Sequence, residues 1–210
     1  MHKDFVYLND VAPEIITDIR YATTNNFTGN VVIGYEEGVC IMTLKAAKIL
    51  KQINAELNQY DMNLKIFDAY RPKMSAKSFL DWANSTENNL GIKETYYPNI
   101  NRSETIGNYI ADTFSTHSRG STVDLTIIKK NTNRELEMGT IFDFFDKTAN
   151  TANPNISSEA KKNRLLLKSI MEKYGFQNLW KEWWHYTLIN EPFKDEYFNF
   201  TVKQTRLSKQ

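Results

Sequence analysis

Two of the chain's three histidines stand beside carboxylates, in two segments far apart in sequence, and a fold must bring both together if they act together. The first segment is Ser115-Thr116-His117-Ser118-Arg119-Gly120-Ser121-Thr122-Val123-Asp124; the second is Glu182-Trp183-Trp184-His185. Ser121 to Ile128 alternates as a strand does, with Val123, Leu125 and Ile127 on one face and Thr122, Asp124 and Thr126 on the other. Asp124 is therefore expected to point away from the oil. A further strand is expected through Trp184 to Ile189. A catalytic zinc takes three side-chain ligands and keeps a fourth position for water. His117, Asp124 and His185 supply that set, and Glu182 is left over as a base. Taken singly, each motif suits an ordinary polar histidine or a strand aspartate; the weight lies in their joint occurrence.

With 41% hydrophobic and 24% charged residues, the 210-residue chain reads as a soluble globular protein. One domain over 1–202 is expected, with a frayed tail over 203–210. Lys plus Arg number 26 against 25 Asp plus Glu, so no broad basic field exists to hold a nucleic-acid backbone. The lone Cys40 cannot form an internal disulfide and reads as a packed small residue. Acidic residues at Asp4, Asp10 and Glu14 interrupt the N-terminus before an apolar signal-peptide run can develop, and no stretch reaches transmembrane length. A cytoplasmic location and no membrane partner are the expectations. The sequons at Asn26, Asn84, Asn101, Asn155 and Asn199 then read as polar loop residues.

Helical spacing of Ala46, Leu50, Ile53 and Leu57 predicts a core helix over 43–60. The alternating run from Leu64 to Tyr70 predicts a strand ending at Arg71, because Pro72 disfavours helix for the residue before it. Ala76, Phe79, Leu80 and Ala83 predict an inward-packing helix over 73–84. Residues 84–113 turn polar and are broken by Gly91, Pro98 and Gly107; a lid and an irregular surface excursion suit them equally. A last helix is predicted over 158–174, with Leu167, Ile170, Met171 and Tyr174 on one side, Ser157 as N-cap and Gly175 as the stop.

Zinc acidifies a bound water and polarises a carbonyl, so an open zinc site beside a carboxylate suits amide hydrolysis. Glu182 would accept the water's proton and return it to the leaving amine. In a regular strand, however, residues three apart face opposite ways. A bulge or a turn must therefore precede His185, the alternative being that Glu182 is a surface acid. Arg71, beside Pro72, offers a permanently charged fork suited to an oxyanion or a carboxylate.

The chain resembles the D-alanyl-D-alanine dipeptidases of the VanX type, zinc peptidases related to D,D-carboxypeptidases. The likeness is carried by Tyr21-Ala22-Thr23, Asn26-Phe27-Thr28-Gly29, Asp68-Ala69-Tyr70-Arg71-Pro72, Tyr96-Tyr97-Pro98-Asn99-Ile100, the His117 motif, Met138-Gly139-Thr140, Phe142-Asp143 and Glu182-Trp183-Trp184-His185-Tyr186. Thr24-Asn25 departs from the Trp-Asp pair usual in the family. The resemblance implies a single α+β domain, helices on a mainly antiparallel sheet of D,D-peptidase/hedgehog-like type. It also implies one Zn2+ on His117, Asp124 and His185, Glu182 as base, and Arg71 on the oxyanion. Tyr21, Ser115 and Asp143 match positions that hold the amino end of a small dipeptide. Two other readings stay open: a D,D-carboxypeptidase acting on longer peptidoglycan peptides, and a non-catalytic zinc module that binds peptide. Sequence leaves open whether the chain forms a homo-oligomer, and whether its reaction serves glycopeptide resistance or D-alanine recovery.

Overall fold

The strand predicted at Ser121 forms as β5, Thr122–Lys129, and it is buried on both faces, with Val123, Leu125 and Ile127 on one side and Thr122, Asp124 and Thr126 on the other all nearly inaccessible. Asp124 lies on the face opposite Val123, as the alternation predicts, and that polar face is itself covered. The computed structural model describes residues 1–86 and 88–204.

In chain order the elements are β1 (Phe5–Tyr7), α1 (Leu8–Val11), β2 (Ile16–Thr17), β3 (Ile41–Thr43), α2 (Leu44–Asn58), β4 (Met62–Asp68), α3 (Lys73–Ala83), α4 (Leu90–Tyr96), β5, α5 (Ser158–Lys173), β6 (Phe176–Asn178) and β7 (His185–Leu188). The fold is α+β in one domain. The main sheet runs β2-β4-β5-β7-β6, antiparallel except for the parallel β2/β4 pair, and β1 with β3 forms a separate antiparallel ribbon. The mainly antiparallel sheet expected from the resemblance is present.

The predicted helices form where their apolar stripes lie. Ala46, Leu50, Ile53 and Leu57 are buried on α2, and the Thr43 hydroxyl caps it by accepting from the Ala46 amide. Burying each Leu or Ile there contributes on the order of 1.5–3 kcal/mol. Leu167, Ile170 and Met171 are buried on α5, whose cap is Ser157 accepting from the Ala160 amide. Gly175, at φ +85°, ends that run, as expected.

The strand predicted to reach Arg71 instead stops at Asp68. Beyond it the Tyr70 amide donates to the Ile41 carbonyl, which draws the chain off the main sheet toward β3. Within the polar stretch 84–113, α4 and a 3-10 turn over Arg102–Thr105 form, neither expected. Asn89 caps the first and Asn101 the second, so local side-chain capping supplies what periodicity did not show. Cys40 is buried, as its reading as a packed residue requires.

Of the tail, residues 205–210 lie outside the described residues; the Lys203 carbonyl accepts from Tyr7 Oη and the Gln204 amide donates to Glu37. Among the described residues no helix is long and apolar enough to cross a membrane.

Candidate metal centre

Sheet register explains how positions so distant in sequence converge. A register shift between Ile66 and Asp68 places Asp68 opposite Asp124 on β5, and β5 pairs with β7 so that Asp124 lies opposite His185. One row across three strands therefore carries Asp68, Asp124 and His185. His117 enters from the 3-10 turn Thr116–Arg119, just before β5. Gly120 closes this turn at φ +81°, where a Cβ would collide with the Phe5 ring, and its amide donates to the His117 carbonyl. The Ser115 hydroxyl caps the same turn by accepting from the His117 amide.

The donor atoms nearly touch. His117 Nε2 lies 3.3 Å from His185 Nδ1 and 3.3 Å from Asp124 Oδ2, and His185 Nδ1 lies 3.1 Å from Asp124 Oδ1. Ligands at zinc bond lengths of about 2.0–2.1 Å on tetrahedral corners stand about 3.3 Å apart; the two imidazoles and the Asp124 carboxylate, which meets them through different oxygens, are spaced closely enough to share one ion. His117 Nδ1–H donates to the Ala69 carbonyl at 2.7 Å, which leaves Nε2 with its lone pair toward the others. Burial holds the His117 pKa below its ordinary value and so favours the neutral, ligating form. Burial also opposes charge on Asp124, but the two imidazoles outweigh it and hold the carboxylate well below its usual range. Asp124 Oδ1 is buried with no hydrogen-bond partner, an orphan that a cation would satisfy.

Glu182 reaches this cluster through a turn. Its amide donates to the Leu179 carbonyl and the His185 amide donates to the Glu182 carbonyl, while Asn178 Nδ2 bridges the carbonyls of Glu182 and His185. Strand β7 begins only at His185, so the turn expected from the odd spacing is present. Glu182 Oε2 lies 3.5 Å from His185 Nδ1. Burial, reinforced by the Asp124 charge, pushes the Glu182 pKa up to about 8.

Arg71 closes another side. Its Nη2 lies 3.4 Å from Asp124 Oδ2, and its guanidinium packs against the rings of Tyr21 and Phe79, 4.9 and 5.1 Å from their centroids. Asp143, at φ +61°, accepts a 2.8 Å hydrogen bond from Tyr21 Oη. Its pKa is driven well above the usual carboxylate range by burial and by the Asp124 charge. Tyr21, Arg71, Ser115, His117, Asp124, Asp143, Glu182 and His185 all line one cavity of about 540 Å³. The eight candidate site residues thus border the same space. Part of its wall comes from residues 107–111, within the polar stretch for which a lid was one expectation.

Sequence reasoning gave no role to Asp68 and Tyr35. Asp68 is fully buried; it accepts from Arg71 Nε at 2.9 Å and from Tyr35 Oη at 2.6 Å, and lies 3.5 Å from His117 Nδ1. It orients the guanidinium and stands beside the imidazole that the Ala69 carbonyl holds. The spacing of Asp68 to Arg71 at a strand end was the available signal; Tyr35 had none.

Two imidazoles and a carboxylate gathered around a shared point, beside a cavity rather than sealed in a core, make a site that could hold a metal ion next to a small substrate. Comparison with known proteins supplies the class. The chain belongs to the D-ala-D-ala dipeptidase family of peptidases (Peptidase M15), which matches residues 1–203. It is 42% identical over 202 residues to a D-alanyl-D-alanine dipeptidase of Enterococcus faecalis, covering 96% of this chain and 100% of that one. Dipeptidases of the same name from Enterococcus faecium and Streptomyces coelicolor are 40% and 34% identical, covering 97% and 96% of this chain and all of each relative. The chain is therefore a peptidase.

Proposed function

We propose that this peptidase hydrolyses D-alanyl-D-alanine to two molecules of D-alanine, with one zinc ion held by His117, Asp124 and His185 and with Glu182 as general base. The observation that carries the reading is the Glu182 carboxylate: buried, paired with no Lys or Arg among the described residues, and turned onto the side of His185 that faces the other two donors. The names of the relatives supply the substrate. When bound, zinc supplies an acidified water and a Lewis acid for the scissile carbonyl.

The chain's own residues do the rest. Glu182 accepts the proton of the attacking water and delivers it to the departing amine, a task that its raised pKa suits. Arg71, braced by Asp68 and two aromatic rings, places a fixed positive charge where the carbonyl oxygen becomes anionic. Asp143, with Tyr21 and Ser115, holds the amino end of the dipeptide. Burial raises the Asp143 pKa, and an arriving ammonium favours its charged form by pairing with it, whereas a blocked amino end offers no such partner.

Glu182→Gln preserves the shape of the side chain and removes the base. The expected result is full zinc content, by metal analysis, with D-alanine release reduced roughly 10²–10⁴-fold. Substantial remaining turnover would remove Glu182 from this role. Hydrolysis of an acyl-D-Ala-D-Ala peptide as fast as the free dipeptide would replace the dipeptidase reading with that of a D,D-carboxypeptidase.

A further inference from the structure

Arg164, on α5, is only 1% exposed, yet no carboxylate among the described residues pairs with it, and burial pulls its pKa down to about 10. An unpaired buried cation is costly unless its donors are met. Here three of them are met by main-chain carbonyls, with Nε donating to Met138 at 2.6 Å and Nη1 donating to Thr148 at 2.9 Å and Asn150 at 2.7 Å, while Nη2 is buried with no partner among the described residues. These three carbonyls lie at the two ends of one loop, 138–150. One guanidinium thereby clasps both ends of the segment that carries Asp143.

The loop needs outside support, because Asp143 sits at φ +61°, in a left-handed conformation that L side chains seldom adopt. Other contacts follow the same seam. Asn163 Nδ2 donates to the Glu137 carbonyl, and Gly139, at φ +80°, lies so close to α5 that a Cβ there would stand 3.2 Å from the Ala160 Cβ. Trp183, the neighbour of Glu182, donates from Nε1 to Thr140 Oγ1 at 2.8 Å and from its amide to the Ala149 carbonyl at 3.1 Å. The loop is thus fastened to the helix behind it and to the turn that carries Glu182.

We propose that Arg164 is a positioning residue for substrate recognition: by tying both ends of the 138–150 loop to α5, it fixes Asp143 where the ammonium of the dipeptide must arrive. The inference rests on the role given to Asp143 above. Arg164 itself touches neither substrate nor metal donors. Its loss therefore affects binding of the amino end rather than the chemical step.

Arg164→Lys keeps a positive charge but cannot span three carbonyls with a planar fork. In the zinc-loaded variant the KM for the free dipeptide is expected to rise about tenfold with kcat held within twofold. The preference for the free over the N-acetylated dipeptide should shrink, and amide hydrogen exchange should accelerate over 138–150 only. An unchanged KM, or kcat and zinc content falling together, overturns the proposal. Should Arg164→Lys fail to fold, Gly139→Ala presses the loop off α5 with Arg164 intact and is read by the same outcomes. Wild type assayed alongside keeps the two readings apart: if it binds zinc but cleaves no dipeptide, the proposed function fails, and unchanged exchange over 138–150 in the variant then overturns this inference by itself.

Discussion

Glu182 joins the two properties on which the site depends, burial and charge. Burial and the Asp124 charge raise its pKa from an ordinary 4.5 to about 8, against the pull of Arg71 and Lys181. Between those values the folded, metal-free protein holds a proton that the unfolded chain has released, so this residue's contribution to stability falls as pH rises and levels off above about 8. Glu182→Gln lacks that titration. Thermal melts of both proteins in chelator should show the variant gaining on wild type between pH 5 and pH 8, by an amount on the order of a few kcal/mol. A constant gap across that range would contradict the burial argument. At this scale the sequence was most readable where side chains carry rare chemistry: His117, Asp124, His185, Glu182 and Arg71 all line the cavity. Asp68 was marked only by its spacing to Arg71 and Tyr35 by nothing, because what they do consists of hydrogen bonds to Arg71 and to each other.

The 3-10 turn before β5 shows how much of the site depends on a short element. Gly120 permits the left-handed closure and the close approach of the Phe5 ring, and the same turn aims the His117 ring. Gly120→Ala should cost at least about 1–2 kcal/mol in backbone strain alone, with the ring contact added. It should also weaken zinc binding, because His117 moves with the turn. Denaturant midpoints and a competition titration with a metal chelator measure both effects; a destabilised variant with unchanged zinc affinity would show that the turn does not aim the ring. Helices α2, α3 and α5 were legible because each repeats its apolar stripe over several turns. The short strands β1, β2, β3 and β6 hold two or three residues each, too few for alternation to show. They exist because a neighbouring strand offers its edge.

Across the whole molecule, the proposed metal donors come from a turn and two strands that meet only when the sheet forms, so the zinc proposed there would bind the folded chain and not the unfolded one. Zinc at a thousandfold excess over its dissociation constant should stabilise the fold by about 4 kcal/mol, seen as a lowered Tm on chelation and its recovery on adding zinc back. An unchanged Tm would separate metal binding from folding. The sequence by itself determined the donor chemistry and the need for a turn between Glu182 and His185, since residue type and odd spacing are local properties, while the class of fold was implied by resemblance to a known family. Only tertiary structure decided that Asp124 is buried rather than facing out, that Asp68 braces Arg71, and that Arg164 clasps the loop bearing Asp143. Those outcomes depend on which strand edge, ring or carbonyl lies across the gap, and strand register and helix packing set that only once the chain has closed on itself.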